Sequence, residues 1–182
     1  MYQICIPTQK PVNEIHGELN ALFGYVPGSG LPRPYQFYKS GGQVLVRSHV
    51  LPLRGGLEIK PETLLFEEGE NLRIGVTLDP FRRNRNREIP VQDPPEVWEW
   101  SRELLEKQGL EVQSLSVKKM FSPPAHSRQK VNPIPLYFWE VEAEVKVADP
   151  EKFRQALAHG VGRKRVYGAG MIRVSGAQTQ EM

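Results

Sequence analysis

The sequence predicts an α+β fold of two tandem halves, and three observations support this prediction. Short runs with alternating apolar residues, such as 72–78, favour β-strands. Three runs with helical periodicity each end at a glycine, at Gly24, Gly109 and Gly160. The second half then follows the order βαββαβ, which is the ferredoxin-like order, and the first half has this order with its second helix reduced or lost.

The first half is predicted to span 1–84. Residues 1–7 have strand composition, and Pro11 opens a helix, since proline is favoured in a first helical turn. Further strands are expected at 35–39 and 44–50, which form a hairpin around a Ser-Gly-Gly turn, and at 64–66 and 72–78. We place the boundary near residue 84 because the segment 80–87 is charged and lacks periodicity.

The second half is predicted to span 85–175, with a frayed polar tail at 176–182. Its first helix follows from the capping-box spacing of Asp93 and Glu96. The remaining predicted elements are strands at 112–121 and 136–147 with a loop at 122–135 between them, a helix at 149–159 and a strand at 167–174. We expect this last strand to lie at the centre of its sheet.

Composition excludes several classes of protein. No apolar run approaches the roughly 20 residues of a membrane span, and the first residues are too few for a signal-peptide core. The single Cys5 excludes an internal disulfide and a cysteine-based zinc site, which fits a cytoplasmic location. We expect no cofactor, because neither a cofactor fingerprint nor a clustered carboxylate pair occurs.

Basic residues are clustered along the chain. The net charge of +3 and the pI near 9.0 are too mild to indicate a nucleic-acid partner by themselves. One basic cluster alone would be an ordinary solvated loop, but three together favour a polyanionic partner. The clusters are Arg82, Arg83, Arg85 and Arg87; Arg128 and Lys130; and Arg163, Lys164 and Arg165.

The third cluster lies inside a glycine-rich segment, 160–170, between a predicted helix and a predicted strand. Glycines such as Gly160 and Gly162 allow backbone amides to approach a phosphate, and Arg163 and Arg165 would neutralise its charge. A glycine-rich turn with exposed basic residues is the alternative. The segment follows a helix and opens a strand, which excludes a P-loop or dinucleotide fingerprint.

This segment closely resembles the C-terminal glycine-rich loop of CRISPR-associated repeat ribonucleases, the RAMP superfamily. The residues that carry the resemblance are Gly160, Gly162, Arg163, Gly168 and Gly170, followed by Met171 and Ile172. His16-Gly17-Glu18-Leu19 on the first helix resembles the CasE branch in particular. The resemblance implies two RRM-like, ferredoxin-like domains side by side. It also implies metal-independent cleavage of the CRISPR precursor at each repeat stem-loop, with a product that often stays bound within the Cascade complex, and other Cascade subunits as partners.

His16 is the candidate general base. A histidine has an unperturbed pKa near 6.5, which suits proton removal from a 2′-hydroxyl at neutral pH. His16 lies at the edge of the helix's apolar stripe, and Asn13 and Asn20 lie on the same polar flank. By itself such a boundary histidine is more often structural, but the resemblance implies the catalytic role. Family members commonly carry a tyrosine where this chain has Asn13, so Asn13 is only an assisting candidate.

Other residues leave alternatives open. Arg128 and Lys130 in the loop 122–135 are expected to contact RNA. Tyr35, Phe37 and Tyr38 suit base stacking and core packing equally well. The remaining histidines, His49, His126 and His159, do not outweigh His16. A non-catalytic RNA-binding subunit of a CRISPR effector, with His16 structural, remains the second hypothesis, and a small-molecule enzyme is disfavoured.

Overall fold

A computed structural model describes residues 1–85, 87–122, 124–125 and 132–175, apart from the side chain of Asn13. Within these ranges the chain forms two four-stranded antiparallel sheets, a two-stranded ribbon and three α-helices. The predicted α+β class is therefore confirmed. The elements are β1 Tyr2–Pro7, α1 Val12–Leu22, β2 Tyr35–Ser40, β3 Gln43–Ser48, β4 Ile59–Pro61, β5 Asn71–Leu78, β6 Phe81–Asn84, β7 Arg87–Pro90, α2 Pro94–Lys107, β8 Leu110–Lys119, β9 Trp139–Val147, α3 Pro150–His159 and β10 Arg173–Ser175.

The first sheet has the order β2-β3-β1-β4 and packs against α1. The helix buries Ile15 and Leu19 against Ile4 and Phe37 of the sheet, because apolar residues three to four positions apart share one helix face. The predicted hairpin is confirmed as β2 and β3. The strand predicted at 64–66 is wrong: these residues form no strand, and β4 pairs with β1 instead.

The second sheet has the order β10-β5-β9-β8. Its core contains apolar side chains from β5 and β9 together with residues of α2 and α3, including Leu105, Phe153 and Leu157. The helix α3 begins at a cap in which the Asp149 side chain accepts a hydrogen bond from the Lys152 amide at 3.0 Å. The predicted capping box at α2 is wrong, since Asp93 makes no side-chain cap bond. Glu96 instead lies 2.8 Å from the guanidinium of Arg82.

The strand β5 lies in the second sheet, where it pairs with β9 along its whole length. This run was predicted to lie in the first half, whereas its pairing places it in the second sheet. Alternation of Leu72, Ile74, Val76 and Leu78 identifies the buried face, but it carries no information on which strand lies alongside. With β5 included, the second sheet and its helices have the order βαββαβ. We propose that the boundary between the two halves lies before β5.

The final strand also differs from its prediction. It is shorter than expected and lies at the edge of its sheet, because β10 pairs only with β5. Residues 165–167 form a 3₁₀ turn instead, and Gly168 and Gly170 follow with φ of 86° and 82°. These left-handed backbone angles are incompatible with a continuous strand.

Two aromatic residues considered for base stacking are core residues. Phe37 is fully buried and Tyr35 is buried against Phe23. Tyr38 lies at the joint between the halves, where the Arg173 guanidinium is 3.4 Å from its ring centroid. No helix in the described ranges is long and apolar enough to cross a membrane.

Candidate functional site

An open cleft with a volume of about 1530 Å³ lies between the two halves of the molecule. One wall comes from α1 and the loop after it, and the opposite wall comes from the end of α3 and the segment 160–170. The cleft therefore brings together His16 and the glycine-rich segment, which are far apart in sequence. Its charged and titratable residues are Lys10, Glu14, His16, Glu18, Tyr25, Arg33, Tyr35, His159, Arg163, Lys164, Arg165 and Tyr167.

His16 is half-buried in this cleft. Its ring centroid lies 6.2 Å from that of Tyr167, in the 3₁₀ turn of the opposite wall. Burial lowers the pKa of His16 below 6.5, and the positive charge of Arg33 lowers it further. The ring atom Nδ1 is buried and has no hydrogen-bond partner among the described residues. Both effects on the pKa favour the neutral imidazole, which is the form that accepts a proton.

Arg33 is a cleft residue that sequence analysis did not identify. Its guanidinium carbon lies 5.1 Å from the Tyr35 ring centroid. The Tyr35 hydroxyl donates to Oδ1 of Asn20 at 2.6 Å, and it lies 3.2 Å from the His16 carbonyl oxygen. Burial raises the pKa of Tyr35 to about 12. Arg33 lies between two prolines in a loop without periodicity, so no sequence pattern linked it to His16.

The two walls are held in place by side chains that reach the C-terminal end of α3. Gln36 donates to the carbonyl oxygen of Leu157 at 2.5 Å, and Arg47 donates to the same oxygen at 3.2 Å. Donors and cations are favourable here because the last carbonyls of a helix lack intrahelical partners and carry partial negative charge. His49 Nε2 lies 3.2 Å from the carbonyl oxygen of Ala158.

Two glycines of the segment 160–170 are required by close backbone packing rather than by access to the cleft. Gly170 has φ of 82°, and a Cβ there would overlap the carbonyl oxygen of Val161. Gly160 has φ of 74°, and its Cβ would lie 2.9 Å from Oε1 of Gln36. Only Gly162 among the segment's glycines lines the cleft. The expectation that the glycines expose amides to a phosphate therefore applies at most to Gly162.

Arg163 lines the cleft but is already engaged by the protein. Its Nε lies 2.7 Å from Oδ2 of the buried Asp79, and Nη1 lies 2.5 Å from Oε2 of Glu88 on the ribbon. Its guanidinium carbon also lies 4.3 Å from the Phe81 ring centroid. Arg163 therefore anchors the segment to the second half and to the ribbon.

The other predicted cations have different surroundings. Arg165 is exposed and donates to the carbonyl oxygen of His159 at 2.8 Å, and Lys164 lines the cleft beside it. Arg82, Arg83 and Arg85 are exposed on the ribbon and its turn, outside the cleft lining. The positions of Arg128 and Lys130 and the side chain of Asn13 lie outside the described residues. No group of three or more potential metal ligands occurs in the part of the chain that the structure describes.

A family model described as CRISPR associated protein matches residues 53–175. The fold also matches solved structures. The CRISPR endoribonuclease Cse3 bound to a 19-nucleotide RNA has a TM-score of 0.78 at 18% identity, over 96% of this chain and 100% of that chain. The CRISPR-associated protein Cas6e from Escherichia coli str. K-12 has a TM-score of 0.72 at 15% identity, over 96% and 99%.

A chain of a CRISPR RNA-guided surveillance complex matches with a TM-score of 0.70 at 18% identity, over 96% of this chain and 99% of that chain. At these identities the likeness concerns the fold. No curated protein sequence matches.

Proposed function

The chain belongs to the family of CRISPR-associated proteins, and from this premise we propose that it is an endoribonuclease that binds CRISPR repeat stem-loops and cuts precursor CRISPR RNA. One observation carries the proposal: His16 and the basic segment 160–170 line one cleft from opposite halves of the molecule. The cleft therefore contains both an imidazole that can accept a proton and cations that can bind a phosphate. The solved structures with this fold include an RNA-bound endoribonuclease, which supports the same function.

The chemistry that fits the cleft is attack by a ribose 2′-hydroxyl on the adjacent phosphorus. His16 takes the hydroxyl proton, the O2′–P bond forms, and the P–O5′ bond breaks. The products are a 2′,3′-cyclic phosphate and a 5′-hydroxyl, whose oxygen must receive a proton. The lowered pKa of His16 supports this role, because it favours the unprotonated imidazole. Asn13 lies on α1 one turn before His16, as an assisting candidate.

RNA binding is proposed to rest mainly on phosphate contacts, since the narrow major groove of A-form RNA hides the base edges. Lys164, Arg165 and Gly162 would contact the strand in the cleft. Arg82, Arg83 and Arg85 on the ribbon, together with Arg128 and Lys130, would contact the flanking stem. We further propose that the protein acts in the cytoplasm and hands its product to other subunits of a Cascade complex.

The decisive experiment uses purified protein and a repeat RNA in the presence of EDTA. We expect one cut per repeat, with a cyclic phosphate on the upstream fragment identified by mass spectrometry. A parallel RNA with a 2′-deoxyribose at the cut nucleotide should bind with unchanged affinity and remain intact. Binding of the repeat without any cleavage would instead support the non-catalytic subunit.

A further inference from the structure

In the described part of the chain, three arginines line the cleft, and Arg33 forms no ion pair. The three are Arg33, Arg163 and Arg165. Arg163 is paired with Asp79 and Glu88, and Arg165 donates to the carbonyl of His159. Among the described residues, no carboxylate forms an ion pair with Arg33. Its partial burial without a counter-ion costs free energy, which a bound anion would offset.

Arg165 adds a second positive charge near Arg33. Burial lowers the pKa of Arg33, the interaction with Tyr35 opposes this, and the charge of Arg165 lowers the pKa again. The acidic residues of the cleft do not compensate, since Glu18 is paired with Lys10 and no ion pair joins Glu14 to Arg33. A group with one or more negative charges and several acceptor oxygens, such as a phosphodiester, suits this position.

The backbone holds Arg33 in place. Pro34 restricts the conformation of the residue before it, and its carbonyl oxygen accepts hydrogen bonds from the His49 amide at 2.9 Å and the Ser48 hydroxyl at 3.1 Å. The guanidinium stacks over Tyr35, whose hydroxyl is bonded to Asn20 on the helix of His16. Arg33 also has a side-chain hydrogen bond with Tyr35, and because a guanidinium carries five N–H donors, other donors remain for a phosphate.

We propose that Arg33 binds the non-bridging oxygens of the scissile phosphate beside His16 and stabilises the charge that develops there during cleavage. The inference rests on the proposed function and adds a residue that the chain's resemblance to its family does not supply. A preorganised donor of this kind acts mainly in the transition state, because the charge on the equatorial oxygens rises as the O2′–P bond forms.

The test compares Arg33→Met with the control Arg73→Met under single-turnover conditions with the full-length protein. Met keeps most of the apolar stem over Tyr35. Arg73 is 68% exposed outside the cleft and is paired with Glu144, so its variant removes the same charge elsewhere. We expect Arg33→Met to cut about 10²-fold more slowly, with less than about tenfold loss of affinity for the 2′-deoxy RNA. Arg73→Met should retain the wild-type rate.

A sulfur substitution at the scissile phosphate separates phosphate contact from a structural role. We expect the wild-type enzyme to be slowed by one phosphorothioate diastereomer, and Arg33→Met to lose most of that slowing. The acid limb of the pH–rate profile should also move to higher pH, because the charge that lowers the His16 pKa is gone. A wild-type rate with an unchanged sulfur effect would overturn the proposal and leave the proposed function standing.

If Arg33→Met does not fold, Arg33→Lys is tested instead, because lysine keeps the positive charge but lacks the paired N–H donors of the guanidinium. We expect an unchanged melting temperature, cleavage slowed at least about fivefold and a reduced sulfur effect. A wild-type cleavage rate and sulfur effect in a folded Arg33→Lys enzyme would overturn the proposal that the guanidinium donors bind the scissile phosphate. If the wild-type protein does not cut any repeat RNA, the proposed function fails and the role of Arg33 fails with it.

Discussion

Arg47 on β3 donates a hydrogen bond to the carbonyl oxygen of Leu157 near the end of α3, and this contact joins the two halves of the molecule. The same Nη1 donates to the carbonyl of Ile172 at 2.8 Å, while the other side of the guanidinium binds both carboxylate oxygens of Glu62 at 2.6 Å. One side chain thus fixes the first sheet to a helix end and to the strand that follows the glycine-rich segment.

Arg47→Met is expected to destabilise the protein by about 3 kcal/mol, because it leaves Glu62 unpaired and removes the guanidinium that donates to the carbonyl oxygens of Leu157 and Ile172. Urea unfolding measures this loss. Arg73→Met, which breaks an exposed pair with Glu144, should change stability by less than about 1 kcal/mol. Equal losses of unfolding free energy in the two variants would show that the buried Arg47 contacts stabilise the protein no more than an exposed ion pair does.

His16→Ala is expected to lower the single-turnover cleavage rate by about 10²- to 10⁴-fold while leaving RNA affinity nearly unchanged, because a general base contributes to the chemical step. Gel shift and cleavage on the same RNA measure the two quantities. The control is Arg73→Met, whose side chain lies outside the cleft, and it should retain the wild-type rate. Undiminished cleavage by His16→Ala would remove its assignment as the base.

The cleavage rate should fall at low pH, with the midpoint of the acid limb below pH 6.5. The sign follows from the chemistry: the base must be unprotonated, and burial and Arg33 both lower the pKa of His16, so the active form persists to lower pH than for a free histidine. A midpoint above pH 6.5 would contradict either the environment of His16 or its role.

Arg163→Met should lower stability more than it lowers RNA affinity. The substitution leaves the buried carboxylate of Asp79 without its cation, and we expect a loss of about 3 kcal/mol in urea unfolding. The double variant Asp79→Asn with Arg163→Met should recover part of that loss, because the unpaired charge is removed. A large, uniform loss of affinity at unchanged stability would show that Arg163 contacts RNA directly.

Arg83→Ala and Arg85→Ala on the ribbon should weaken binding of all RNAs alike and make log Kd less dependent on log salt, by about one charge equivalent for each arginine lost. Titrations at several salt concentrations measure this slope. Arg73→Met, outside the ribbon and the cleft, is the control and should leave the slope unchanged. An unchanged slope in the arginine variants would exclude the ribbon from the RNA interface.

Much of the fold followed from local patterns. The helix of His16, the hairpin of β2 and β3 and the cap at Asp149 each depend on residues close in sequence, so their spacing predicts them. The sheet that contains β5 and the edge position of β10 depend on pairing between distant strands, and alternation alone cannot select a partner. His16 was predicted from its helix and from the family resemblance, whereas Arg33 was not.

The amino-acid pattern alone predicts the three helices, the glycines that end them and the cluster of cations near residue 163. Which of these cations are already paired within the protein depends on contacts between distant parts of the chain. Arg163 is held by Asp79, which lies 84 residues earlier, while Arg33 has no acidic partner among the described residues. The physical reason is that charge pairing depends on distance in space, which sequence spacing specifies only within a single helix or strand.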